Sequence, residues 1–153
     1  MFVITTQDAA ATMQVGRRLA ALVRPGDVIA LSGALGAGKT TFAAGLGEGL
    51  GIDEPVTSPS FVLVRSYRSG FTPLVHVDAY RLSSLGEFED LDVIDEAADG
   101  LLLIEWGDAV LGVIPNDYLQ IHLEADPDDD GTRTITFHPN GGWTNRPLEE
   151  VTE

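Results

Sequence analysis

Three short runs of apolar residues set the frame of the chain: Val28-Ile29-Ala30-Leu31, Leu74-Val75-His76-Val77 and Leu101-Leu102-Leu103-Ile104. Runs of this length, apolar on both faces and bounded by turn residues, are the pattern of strands buried inside a parallel sheet. Phe2–Thr5 reads as a further short strand. Between and around the strands the period changes to that of helices. Thr6 to Val23 predicts a helix with Thr6 as N-cap, Asp8 in its first turn, and Ala9, Met13, Leu19, Leu22 and Val23 on one face; Pro25-Gly26 ends it. Phe42, Leu46 and Leu50 recur at intervals of four and predict a second helix from Lys39.

Gly45, Gly47 and Gly49 each cost that helix about 1 kcal/mol relative to alanine, so they mean either close packing or a frayed last turn. Pro55 to Ser60 reads as a loop, Phe61 to Val64 as a strand, and Arg65 to Thr72 as a turn. Leu82 to Ala98 predicts an acidic helix. Tyr118–Leu123 and Thr132–His138 alternate well enough for two antiparallel strands joined by a turn at Asp126–Gly131. The acids of that turn, Asp128, Asp129 and Asp130, are read as solvated at a hairpin tip in preference to binding calcium. Pro139 to Glu153 is polar and expected to fray. The 153 residues form one domain by length, spanning 1–139, with 140–153 as a polar tail.

Composition narrows the function. There is no cysteine, which excludes disulfides, thiol catalysis and cysteine-held metal centres. No leader-like segment opens the chain, and no stretch approaches the roughly 20 apolar residues of a membrane span. A cytoplasmic location is therefore expected. A net charge of −15, from nine basic and 24 acidic residues, argues against tight direct binding of nucleic acid. The same acidity either reflects the source of the protein or suits a basic protein partner.

The lone lysine is the most informative residue. Lys39 lies in Gly33-Ala34-Leu35-Gly36-Ala37-Gly38-Lys39-Thr40, a match to G-x-x-x-x-G-K-[ST], between a predicted strand and a predicted helix. Glycines at 33, 36 and 38 allow the backbone to curl its N–H groups around phosphate, and the helix start adds its own unpaired N–H groups. Lys39 reaches the phosphates as a point charge, and the Thr40 hydroxyl is placed to ligate Mg²⁺. Thr41 either bonds the α-phosphate or is an ordinary helix-start threonine.

A metal at such a loop needs an acid at the end of a neighbouring strand. Asp78 and Glu105 each close an apolar run, and both are expected to face the metal, although either residue type also caps helices. Glu105, after the cleaner run, is the preferred catalytic residue, orienting or deprotonating a water. His76, His122 and His138 lie on different strands and make no metal site; His76 is read as a satisfied strand histidine. Tyr80, Arg81 and Trp106 are further candidates by their nearness to the two acids. Each also has an ordinary structural explanation.

These residues together resemble the TsaE (YjeE) family, a small bacterial ATPase of tRNA threonylcarbamoyladenosine synthesis. The phosphate loop through Phe42, Val56-Thr57-Ser58-Pro59-Ser60-Phe61, His76-Val77-Asp78-Ala79-Tyr80-Arg81 and Ile104-Glu105-Trp106 look like its motifs in order. Ser60 stands where that family has threonine, keeping the hydroxyl and losing the methyl. The resemblance implies an α/β P-loop NTPase fold with a central, mostly parallel sheet flanked by helices and antiparallel strands at the margins. It implies ATP and Mg²⁺ as ligands and weak ATPase activity alone. The partners it implies are TsaB and TsaD, which transfer threonylcarbamoyl from an adenylate made by TsaC. The acidic stretch Glu87–Asp99 is the expected docking surface. Two other classes share the loop: a small-molecule kinase, disfavoured because residues 107–131 hold no arginine or lysine to close a lid, and a non-hydrolysing nucleotide sensor.

Overall fold

A computed structural model describes residues 1–59 and 63–152, with the backbone alone for Arg81. The chain runs β1 (Phe2–Thr6), α1 (Ala9–Leu19), β2 (Asp27–Ser32), α2 (Lys39–Gly49), β3 (Val64–Tyr67), β4 (Leu74–Asp78), α3 (Leu85–Asp90), α4 (Val93–Glu96), β5 (Leu101–Glu105), β6 (Tyr118–Asp126) and β7 (Asp129–Pro139). The seven strands form one sheet in the order β1-β7-β6-β2-β5-β4-β3. The four inner strands β6, β2, β5 and β4 are parallel neighbours, and the margins β1–β7, β7–β6 and β4–β3 are antiparallel.

The apolar runs are buried on both faces, as their lack of alternation implies. Ile29, Leu31, Leu101 and Leu103 pack on one side against Val15 and Leu19 of α1 and Phe42, Ala43 and Leu46 of α2. Val28, Val75, Val77, Leu102 and Ile104 pack on the other side against Phe88, Val93 and Ala97. The glycines of α2 are explained by close packing. A Cβ on Gly45 would run into the Met13 backbone of α1, and one on Gly49 into Arg17 and Ala20. Gly16 makes the matching approach from α1 to the Phe42 carbonyl.

Four boundaries differ from the sequence expectation. The N-cap of α1 is Asp8, whose Oδ1 accepts from the Ala11 N–H at 2.8 Å, while Thr6 ends β1 and bonds Thr12 through their hydroxyls at 2.6 Å. The helix expected to reach Val23 stops at Leu19, followed by one 3₁₀ turn, Ala20–Leu22. The strand expected over 61–64 instead occupies Val64–Tyr67, replacing much of the expected turn; Leu63 has φ 67° and marks the break, and residues 61 and 62 lie outside the described residues. The acidic helix is split at Asp92, which sits at φ 53°.

The tail is the largest correction. Instead of fraying, residues 140–152 fold back as two 3₁₀ turns that bury Trp143, Leu148 and Val151 in the core beside α1. Arg146 clasps the Asp27 carboxylate with two nitrogens at 2.5 and 2.9 Å and stacks on Trp143. Three apolar anchors among thirteen mostly polar residues have no periodicity, so only tertiary packing reveals them. At the other margin, the β6–β7 ladder continues to Asp126 opposite Asp129, so the turn is tighter than expected. Its acids are used locally: Asp126 and Asp129 accept from the Asp128 and Gly131 amides.

Candidate functional site

The phosphate-loop segment leaves β2 at Ser32 and enters α2 at Lys39. Gly33, Gly36 and Gly38 adopt φ of 146°, 80° and 102°, a region closed to most residues. Gly33 is held further by contact, since a Cβ there would strike the Leu123 carbonyl of β6. No side chain caps α2 at Gly38, so its first-turn N–H groups face the loop. Within the loop, Lys39 is buried; its Nζ donates to the Gly33 carbonyl at 2.5 Å and stands 3.7 Å from the centroid of the Trp106 ring. Burial pushes its ammonium below the ordinary 10.5, against the opposing pull of Glu105, Asp78 and Asp108.

Register places the acids. Asp78 and Glu105 are direct partners across β4 and β5, and Glu105 in turn pairs with Leu31 of β2. Both project to the face that carries α2, because they fall two residues after His76 and Leu103 on their strands. Both are buried, at 8% and 4% exposure, and both line a cavity of about 840 Å³. Lys39, Thr40, Thr41 and Ser58 share that cavity. Gly33, Ala34 and Ala37 shape the loop without lining it, whereas Leu35 and Gly36 reach it. Tyr80 and Trp106 close one wall, their ring centroids 5.0 Å apart. Trp106 has φ 60°, a strained setting that turns the chain immediately after Glu105.

His76 departs from its expectation. It is fully buried, with Nε2 2.7 Å from Glu105 Oε2, yet the contact is not aligned as a hydrogen bond and Nδ1 has no partner. His122 instead meets Ser32 and Glu124. Among the described residues no group of three or more His, Asp or Glu can hold a metal. Ser60 lies outside the described residues. The Arg81 backbone lies in the turn Ala79–Arg81 that Asp78 caps through the Tyr80 N–H at 3.0 Å.

One cavity residue had no local signal in the sequence. Arg133 of β7 lines the cavity and donates to the Gly36 carbonyl at 3.2 Å, across 97 positions of chain. Only the sheet order brings the two together.

The sequence profile described as "Threonylcarbamoyl adenosine biosynthesis protein TsaE" matches residues 6–135. The protein of that name from Streptomyces coelicolor is 48% identical over 128 residues, covering 80% of this chain and 86% of the relative. That from Bacillus subtilis is 41% identical over 142 residues, covering 92% and 87%. The crystal structure of Bacillus subtilis YdiB superposes with a TM-score of 0.79 at 34% identity, covering 99% of this chain and 93% of that one. The phosphate-loop α/β fold, the ordered motifs and these likenesses agree: the chain belongs to the TsaE family.

Proposed function

We propose that the chain binds and hydrolyses Mg-ATP in the cavity at Lys39, and that this turnover serves tRNA threonylcarbamoyladenosine biosynthesis, the process for which its relatives are named. The carrying observation is one buried cation beside two buried acids with no ion pair between them: among the described residues Lys39 has no carboxylate within 4.0 Å. Phosphates and a divalent cation complement that arrangement.

The fit to a metal rests on Thr40, Asp78 and Glu105. Two acids and a hydroxyl are too few for a cage built by protein alone, but they suit Mg²⁺, which is held by one or two carboxylates together with substrate phosphates. When bound, Mg²⁺ would neutralise charge on the terminal phosphates. The chain's own part is then plain. Lys39 and the open amides of the loop hold phosphate, Thr40 and Asp78 hold the metal side, and Glu105 orients the attacking water. His76 faces Glu105 Oε2 from the core side and limits how that carboxylate can turn. By the motif resemblance, TsaB and TsaD are the partners, with the acidic surface around α3 and α4 as the docking face. Tight tRNA binding by the chain alone is not expected at a net charge of −15.

Calorimetry with Mg-ATP and an assay of released phosphate test this reading. Lys39→Ala is expected to lose binding. Asp78→Ala should weaken the Mg²⁺-dependent part, and Glu105→Ala should keep binding while turnover falls about 10²-fold or more. Unchanged affinity in Lys39→Ala would sink the loop assignment. A parent rate in Glu105→Ala would remove its catalytic role. Phosphate recovered on a small metabolite would point to a kinase.

A further inference from the structure

The last register pair between β2 and β6 is Ser32 with His122, at the point where the backbone leaves the sheet for the glycine loop. The Ser32 hydroxyl is buried and shares a hydrogen bond of 2.9 Å with His122 Nδ1; the Ile121 carbonyl stands further off, at 3.4 Å. A hydroxyl has one proton, and the nearer acceptor takes it. In that tautomer the other ring nitrogen carries the imidazole proton and donates toward Glu124 Oε1 at 3.2 Å. Three side chains thus form one run of hydrogen bonds, from the exposed Glu124 inward to the start of the loop.

Alternation puts this run on the face of the sheet away from α2. Leu31, Ile121 and Leu123 belong to the core on the α2 side, so Ser32, His122 and Glu124 point the other way. Among the described residues, none of the three lines the cavity at Lys39. What they hold is the segment that shapes it. Ser32 is followed by Gly33, whose φ of 146° and close approach to the Leu123 carbonyl leave it little freedom. The Gly33 carbonyl in turn accepts from Lys39 Nζ.

We propose that His122 is a positioning residue for the glycine loop: steadied by Glu124, its imidazole pins Ser32 and so sets where Gly33, and Lys39 on its carbonyl, meet phosphate. This rests on the phosphate-loop reading above. The plain alternative is a strand-end hydroxyl satisfied by the nearest surface histidine, with no bearing on the loop.

Two amides separate these readings. That of asparagine stands where Nδ1 stands, whereas that of glutamine reaches the position of Nε2. The ring is 40% exposed, so substitutions there should leave the fold intact. Calorimetry with Mg-ATP should find His122→Ala weaker by about fivefold, the worth of one ordinary hydrogen bond. His122→Gln should be equally weak, and His122→Asn within about twofold of the parent. Ser32→Ala should match His122→Ala, and the double variant should lose nothing further, because both remove the same bond. Without ligand, the Gly33 amide should exchange its hydrogen faster in the alanine and glutamine variants than in the parent and His122→Asn. Parent affinity in His122→Ala would overturn the proposal. So would equal losses in the asparagine and glutamine variants, which mean the bulk of the ring, or additive losses in the double variant. If the parent itself does not bind Mg-ATP, the phosphate-loop reading fails and this inference falls with it.

Discussion

Under the proposed function Lys39 meets two demands that conflict: a charge is needed to meet phosphate, and the residue lies buried where charge is disfavoured. Its pKa lies below the ordinary 10.5 because burial outweighs the attraction of Glu105, Asp78 and Asp108. The folded chain therefore releases this proton before the unfolded chain does. Below the folded-state value both states hold it, and the folded state bears the whole desolvation cost. As pH rises through the folded-state value that cost is relieved, so the contribution of Lys39 to stability increases until the unfolded chain also titrates near 10.5. Urea unfolding of the parent and Lys39→Met from neutral pH toward 10.5 checks the sign: the parent should gain on the variant as pH rises. Phosphate favours the charged form, so Mg-ATP affinity should fall over the same range. A flat difference between the two proteins would contradict this account. Lys39, Asp78 and Glu105 were legible from sequence because each is announced by its neighbours, a glycine loop or an apolar run. Arg133 was not, because what places it is a strand pairing that no local pattern carries.

Helices α1 and α2 touch along glycines, and the two glycines Gly45 and Gly86 make opposite predictions. Gly45→Ala gains helix propensity of about 1 kcal/mol but drives a methyl into the Met13 backbone, so a net loss of about 1–3 kcal/mol is expected. A Cβ on Gly86 of α3 would meet only the Ser84 Oγ, at an ordinary contact distance of 3.9 Å. Gly86→Ala should therefore stabilise, by up to about 1 kcal/mol. Urea midpoints of the two variants, with equal slopes, decide it. At this scale the sequence spoke clearly for the buried strands, whose unbroken apolar runs leave little choice. It spoke poorly where one pattern fits two structures. The acidic run over 82–98 is helical in composition, yet Asp92 breaks it so that Phe88 and Val93 can both reach the sheet. Residues 65–67 looked like part of a turn because an edge strand with one antiparallel neighbour needs no continuous apolar run.

Across the molecule, the C-terminal segment and the cavity at Lys39 occupy opposite ends of β2, Asp27 at its foot and the glycine loop at its head. Removing the guanidinium in Arg146→Ala strands a buried carboxylate, at an expected cost of about 3–5 kcal/mol. Nucleotide affinity should stay within about twofold of the parent. A thermal melt and a titration on the same sample separate the two effects, and a large loss of affinity would show that the ends of β2 are coupled. The pairing of Asp78 with Glu105 sets a different limit, on changes in chain length. Side chains alternate along a strand, so one residue inserted or deleted within β4 or β5 turns an acid to the opposite face of the sheet. No compensating substitution elsewhere restores it. The connection over residues 83–99 packs on that opposite face through Phe88, Val93 and Ala97, and its exposed turns can lengthen or shorten without moving the two acids. Variation in length among descendants of this chain should therefore gather there, leaving the two strands the same length throughout.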